Sequence, residues 1–488
     1  MFIPQHFSAA RRFPHLSWTW PSGDRNALLI AAGHRDEHRA AASFVDWQLR
    51  ADFDKVEFAE QRLLVTATNR FPATRLTVPN RARLDGLVRM FWTRSRLSLN
   101  QAAPALRALR AAGVEILVLK GMAAVAHDLQ NLKGRIAHDI DILIHTRDVP
   151  TALVTLDGQG WIPNRGESLL FLKEQGARFR SINFLKRPFG DIDLHTRACL
   201  TTSADSPAET GIWQRSTRAF LLDADVLVPC ATDRLMTAIA HGALDANHHS
   251  DWLIDSARLI AEEKIDWQLL AALAEELSAS AQLSSALFYL RDILDVEIPD
   301  QFLVPIWEQA RKDSTAYFKA LLLGYPRDKH SVLTGLGRRI FKLHHSAQIN
   351  AANKKASAAV PKSDIRMHRI SSGLAVAASP RGLRHRLVVG EDATKVKILI
   401  GVEGTDKPRR YLFEINTGHR HVTRLRYRDR CGAGSEIKLS AELSLPNDLA
   451  RDDLWIELRQ SGPLPSLHSE DEKMLFGPRP FSVSVSMR

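Results

Sequence analysis

The chain has only three cysteines, Cys199, Cys230 and Cys431, and no two of them form a Cys-x-x-Cys pair. An odd, scattered set supports neither a disulfide framework nor a zinc ribbon. No run approaches the roughly 18 consecutive apolar residues of a membrane span, so no spanning helix is expected. The arginines that follow Met1 lead into no apolar stretch, which argues against a secretory signal and for a cytoplasmic location. No internal repeat of fixed period is present.

What is there fits a globular enzyme. Of 488 residues, 45% are hydrophobic and 25% charged, the usual balance for a chain that buries a core. The length suggests roughly three domains. The formal net charge of +11 favours anionic partners: nucleotides, nucleic acid, acidic glycans or an anionic membrane surface. Charge alone does not choose among them.

The first hundred residues read as mostly helical. The clearest stretch is Arg81 to Ala112, where Leu84, Leu87, Val88, Phe91 and Trp92 recur at helical spacing before Gly113 ends the pattern. The run Val114 to Leu119 has the length and branched content of a strand, and Met122 to Leu132 suits a helix. Asp139 to Ile144 reads as a second strand, followed by a helix over Asp148 to Gln159 and an extended pair at Trp161-Ile162. The runs Ala177 to Lys186 and Asp191 to His195 flank Arg187-Pro188-Phe189-Gly190, a turn. Thr232 to about Leu323 is helical again, with Asp251 to Ile260 its clearest amphipathic piece. From about His344 to Pro380 the chain is rich in Ala, Ser and Lys, as linkers are. Beyond it, short alternating runs such as Lys395 to Val402, Tyr411 to Ile415, Leu454 to Leu458 and Phe481 to Val485 predict a separate all-β domain, a small sandwich or barrel.

The chemistry concentrates on two strands. Side chains alternate along a strand, so Asp139 and Asp141 share one face while Ile140, Ile142 and Ile144 share the other. Two close carboxylates repel and are stable mainly around a cation; oxygen ligands favour magnesium or manganese over zinc. Asp191-Ile192-Asp193-Leu194-His195 repeats the pattern. If the two strands are neighbours, a third carboxylate completes a two-metal site suited to in-line phosphoryl transfer. A lone Asp-x-Asp is more often an exposed strand edge or turn; the second acidic strand and the upstream Lys-Gly loop shift the balance.

Rival chemistries separate on direction. In haloacid-dehalogenase phosphatases the apolar run precedes the acidic pair, whereas here Ile142-Leu143-Ile144 follow it, and Leu143 stands where Thr or Val is required. Glycosyltransferases also use Asp-x-Asp, and spacing does not exclude them. At Lys120-Gly121 a strand passes into a helix, where a glycine backbone, a lysine and a helix N-terminus favour an anion. Arg135 can pair with a phosphate or with the acidic cluster itself.

Taken together, Leu119-Lys120-Gly121, Arg135, Asp139-Ile140-Asp141-Ile142-Leu143-Ile144 and Asp191-Ile192-Asp193-Leu194-His195 resemble the uncharacterised bacterial nucleotidyltransferase family of the polymerase-β superfamily. A helical tail with His241, Trp252-Leu253-Ile254-Asp255 and Ile265-Asp266-Trp267 adds to the likeness, which covers roughly Arg81 to Pro299. Two residues depart from the pattern: Met122 follows Gly121 where Ser or Gly is usual, and Thr196 follows His195 where an aromatic is frequent.

The resemblance implies an α+β chain with a polymerase-β-type nucleotidyltransferase core, flanking helical segments and a C-terminal all-β domain. The expected division is a helical segment over 1–112, the core over 113–200, a helical domain over 201–330, a linker over 331–385 and the β-domain over 386–488. It implies a nucleoside triphosphate (ATP among them) as donor and Mg2+ (or Mn2+) as cofactor. Asp139, Asp141 and Asp193 are then the catalytic and metal-binding residues, and Lys120, Gly121 and Arg135 bind substrate. The acceptor is a hydroxyl of a small molecule, peptide, protein or glycan precursor.

Alternatives are an inactive transferase fold acting as a binding module, and a metal-dependent glycosyltransferase. Templated polymerisation is disfavoured, because no fingers or thumb module stands beside the acidic site. His241, His248 and His249 with Asp245 suggest helix packing and a solvated helix end rather than zinc, and Trp252, Trp267 and Trp307 fit core faces. In the β-domain, Arg424, Arg426, Arg428 and Arg430 share one strand face, a candidate site for phosphate or an acidic glycan; the simpler reading is a solvated outer face.

Overall fold

The computed structural model describes residues 19–164, 179–199, 204–242 and 249–314, single positions between them, and the backbone of strands between His368 and Met487. The architecture is mixed α+β. Two compact units divide the chain: Met1–Asp148 with Lys186–Ala356, and Val149–Leu185 with Ser357–Arg488.

The described part of the first unit begins with four α-helices: α1 (Gly23–Gly33), α2 (Glu37–Arg50), α3 (Phe58–Arg70) and α4 (Arg81–Ala111). Asp36 caps α2 by accepting from the His38 and Arg39 N–H groups, and Glu57 with Glu60 forms a capping box on α3. In α4 the buried positions Leu84, Phe91, Ser95, Ser98, Ala102, Leu106 and Leu109 fall on one face, spaced by three, four or seven residues. Trp92, expected on that face, is instead exposed. The helix continues through Pro104 and stops at Gly113, whose φ of 82° is open to glycine at no steric cost.

Then follow β1 (Leu117–Val118), α5 (Lys120–His127) and β2 (Ile140–Leu143). In the second unit, β3 (Ile162–Pro163) pairs antiparallel with β4 (Ser181–Lys186), beside the helix Val149–Gly158. Back in the first unit come β5 (Gly190–His195), the helix Pro207–Gln214, β6 (Thr217–Leu221) and β7 (Ala224–Val228). The last two strands, a hairpin, carry no strong sequence signal and were not expected. β7 lies parallel to β1 through Leu117 and Leu227, which makes it the floor beside the Lys-Gly turn.

Within the first unit the strand order is β5-β2-β1-β7-β6. β1 is antiparallel to β2, and β2 is parallel to β5. Helices Ala231–Ala240, Asp251–Glu262, Trp267–Glu276, Ser280–Leu294 and Asp300–Lys312 follow among the described residues. Leu117, Leu119 and Leu143 of the sheet join Leu235, Ile254, Leu287 and Trp307 of these helices in one apolar core; Trp252 and Trp267 pack on its margin. The acidic edge of the sheet is therefore anchored from behind by a continuous hydrophobic mass, which keeps charged side chains in place at the front.

In the second unit the strands from His368–Arg369 to Phe481–Met487 pair into a six-stranded and a three-stranded sheet. Lys395–Glu403, Arg410–Thr417, Leu454–Gln460 and Phe481–Met487 stand where alternating runs were read. His368–Arg369, Ala375–Ser379 and Gly382–Leu387 lie in the stretch read as linker or at its border. The arginine face of Arg424 to Arg430, and His248 and Asp245, lie outside the described side chains.

Candidate active site

β2 and β5 run parallel with Asp141 opposite Asp193 and Leu143 opposite His195. This register brings the two acidic motifs, more than fifty residues apart in sequence, onto one patch. His195 Nε2 lies 2.9 Å from Asp141 Oδ1 and 3.1 Å from Asp193 Oδ2. Ligand atoms of Asp141, Asp193 and His195 all fall within 4.8 Å of one another, a spacing that can hold a metal ion. Two carboxylates and an imidazole are a chemically suitable donor set for a divalent cation.

Asp139 precedes the first residue of β2 and stands at the solvent-exposed rim. It is not one of the three grouped ligands. The loop that delivers it is pinned from two helices. Thr66 Oγ1 of α3 donates to Gly134 O at 2.8 Å, Ala137 N donates to Ser95 Oγ of α4 at 3.1 Å, and Ser98 Oγ donates to His138 O at 3.1 Å. The turn before β5 is fixed by α4 as well: Gln101 accepts from Phe189 N at 3.0 Å and donates to Arg187 O.

The Lys120-Gly121 turn closes over the same patch. Lys120, at φ 53°, starts α5 and places Nζ 2.5 Å from Asp141 Oδ1, while Leu119 N donates to Asp141 O at 3.0 Å. Gly121 is required by its neighbour, because a Cβ there would overlap Arg135 Nη1. Arg135 is itself held by Asp255 through its two terminal guanidinium nitrogens, the Nη1 bond being 2.9 Å. One helical turn earlier, Asp251 holds Arg62 of α3, with Nε at 2.9 Å. The helix Asp251–Glu262 thus presents two carboxylates at i and i+4, each matched to an arginine.

Burial and charge set the protonation states. Burial pushes the Asp141 carboxyl upward, but Lys120 and His195 outweigh it and hold it well below the usual carboxylate range. Asp193 is lowered in the same way, burial being outweighed by His195. Burial opposes charge on His195 and on Lys120, yet the facing carboxylates raise both. Around Asp139 the surrounding protein, then the Asp141 charge, push the carboxyl up against Lys120 and Arg62. Its open side lets water offset the first of these influences. Asp251 is drawn down to about 2: burial acts against its charge, and Arg62 more than offsets it.

The structure therefore gathers Lys120, Gly121, Arg135, Asp139, Asp141 and Asp193 in one region, in different surroundings. Asp141 and Asp193 face each other across the strand pair, and Lys120 reaches into them. Arg135 is closed onto Asp255 and Gly121 instead of facing outward. Arg62, Asp251 and the contacts of His195 with both carboxylates escaped the sequence reading. Arg62 and Asp251 are 189 positions apart, and no local pattern marks either. Glu209 was also missed; its buried carboxylate accepts from Ala198 N at 2.8 Å and Cys199 N at 2.9 Å, fixing the chain where it leaves β5.

Among the described residues no helix is long and apolar enough to cross a membrane. Residues 58–295 match the model of a family described as uncharacterised nucleotidyltransferase. That span takes in α3, every strand of the acidic patch and the helix bearing Asp251 and Asp255. No curated protein and no solved structure matches the chain.

Proposed function

We propose that this chain, a member of that nucleotidyltransferase family through residues 58–295, moves a nucleoside monophosphate from a nucleoside triphosphate to an acceptor hydroxyl on a polymerase-β-type core. The observation that carries the reading is the register of Asp141 against Asp193 on parallel strands, with Asp139 at the rim beside them. Three carboxylates so arranged suit the clamp that phosphoryl transfer needs.

Asp139, Asp141 and Asp193 would hold divalent cations, magnesium or manganese. Such ions neutralise charge on the transferring phosphoryl group and lower the pKa of a bound hydroxyl. Charge at the site supports their presence: Asp139, Asp141, Asp193, Asp251 and Asp255 outnumber the bases Lys120, Arg62 and Arg135.

In the reaction the acceptor oxygen forms a bond to the α-phosphorus, and the bond from that phosphorus to the bridging oxygen breaks. Pyrophosphate leaves with the electron pair. Asp193 is the residue assigned to take the hydroxyl proton from the acceptor. Lys120 and the backbone at Gly121 hold the departing pyrophosphate at the start of α5. Arg135 supports that turn from behind through Asp255.

The alternative of an inactive binding module predicts nucleotide binding without turnover, and a glycosyltransferase predicts dependence on a nucleotide-sugar. The test is pyrophosphate release from each triphosphate with magnesium or manganese, in the presence of cell extract as the acceptor source. Asp139→Asn abolishes release while the melting temperature is preserved; release that survives this change removes the assignment.

A further inference from the structure

We propose that Arg62 is the guanidinium that grips the terminal phosphates of the donor triphosphate, the part expected from the sequence of Arg135. The inference rests on the reading of the acidic strands as a nucleotidyltransferase site, and it adds a substrate-binding residue that no motif marks.

The placement of α3 carries the argument. Phe58, Arg62 and Thr66 recur at four-residue intervals and so share one helix face. The two outer members touch the loop that delivers Asp139. The rings of Phe58 and His138 stand 5.4 Å apart between centroids, and Thr66 Oγ1 donates to Gly134 O at 2.8 Å. Arg62, between them, lies along the same loop, with its guanidinium carbon 5.8 Å from the centre of the Phe58 ring. Its charge draws the Asp139 carboxyl downward, as that of Lys120 does. Two cations from separate elements, α3 and the start of α5, therefore bear on the acidic rim.

The two arginines held by the helix Asp251–Glu262 are bound differently. Arg135 engages both oxygens of Asp255 through Nη1 and Nη2, and its Nε is enclosed. Arg62 turns its Nε–Nη2 edge to a single oxygen, Asp251 Oδ2, with Nε at 2.9 Å. Its Nη1 makes no hydrogen bond to a described residue, and 18% of the side chain is exposed. A guanidinium carries five N–H donors in a rigid fork, so one edge can stay on Asp251 while another meets phosphate oxygens. Asp251 is then a positioning residue: it holds the fork in place, and little freedom is lost when the anion arrives.

The competing role for Arg62 is a tie between α3 and the helix Asp251–Glu262. A tie supports folding and leaves phosphate recognition to Lys120 and the Gly121 turn.

Displacement of a fluorescent triphosphate analogue from the full chain, with Mg2+ present, separates the two roles. The competitors are the four common nucleoside triphosphates and their monophosphates. Arg62→Gln should weaken triphosphate binding by about 10- to 100-fold and monophosphate binding by less than about 3-fold, as expected when a hydrogen bond to a charged group is lost at the far phosphates only. Equal weakening of both, or triphosphate binding at wild-type strength, overturns the proposal. Arg62→Lys keeps a cation beside Asp251 but loses the fork, and should still weaken triphosphate binding by about 5-fold or more. Should the glutamine chain fold poorly, the lysine chain decides, and wild-type binding by it overturns the proposal. A wild-type chain that binds no triphosphate would instead remove the nucleotidyltransferase reading beneath it.

Discussion

Lys120 Nζ lies 2.5 Å from Asp141 Oδ1, and the N–H of the preceding Leu119 donates to the carbonyl of the same aspartate. The turn that would receive phosphate and the strand that would receive metal are thus joined by one residue pair. A charged hydrogen bond of this kind contributes more than a neutral one.

Lys120→Met removes the ammonium while keeping most of the side-chain volume. Triphosphate binding, followed by titration with a fluorescent analogue, should weaken by about 10- to 100-fold, the range for losing a hydrogen bond to a charged group. Unchanged binding would free Lys120 from the phosphate role and leave it as a partner of Asp141 alone.

Gly121→Ala tests the close approach behind that turn. A Cβ there would overlap Arg135 Nη1, and the guanidinium cannot retreat freely because Asp255 holds it. The expected loss is about 1–3 kcal/mol in urea unfolding, the usual result of overpacking. A stability equal to wild type would show that the pair yields.

What the sequence could and could not disclose follows from range. Alternation along Asp139 to Ile144 and Asp191 to His195 is local, so both acidic strands and the carboxylates on their common face were legible. Their adjacency was a conditional expectation, which the parallel register of β2 and β5 meets. Arg135 was visible as a residue, but its partner Asp255 lies 120 positions away. Whether it faces phosphate or protein depends on tertiary contacts that no spacing encodes. The hairpin of β6 and β7 was hidden because Arg218 and Asp225 interrupt its apolar pattern. Asp139 reads as part of the strand by alternation yet sits just ahead of β2, on the open rim.

The Arg62–Asp251 pair gives a pH signature. Asp251 is lowered from 3.8 to about 2 in the folded chain. A depressed carboxyl contributes stability that is complete above its unfolded value and is lost as pH falls through the folded value. The window is therefore about pH 4 down to about pH 2, and the contribution is of order 2 kcal/mol. Compared with wild type, Asp251→Asn should show a shallower loss of stability across that window in acid unfolding. Parallel curves would place the acid sensitivity elsewhere.

Breaking the Arg135–Asp255 pair from either side leaves a poorly hydrated charge. Asp255→Asn and Arg135→Met should each destabilise by about 3–5 kcal/mol. The double variant should lose less than the sum of the two, since the strongest interaction is shared. Additive losses in thermal or urea unfolding would show that the two side chains act independently.

The most direct measurement is label transfer from each α-labelled nucleoside triphosphate, with magnesium or manganese, into the components of a cell extract. Wild-type chain runs beside the Asp139→Asn/Asp141→Asn double variant. The account predicts that label moves to an acceptor with the wild type and not with the variant. Equal transfer by both, or a wild-type chain that neither binds nor turns over any triphosphate, would contradict it.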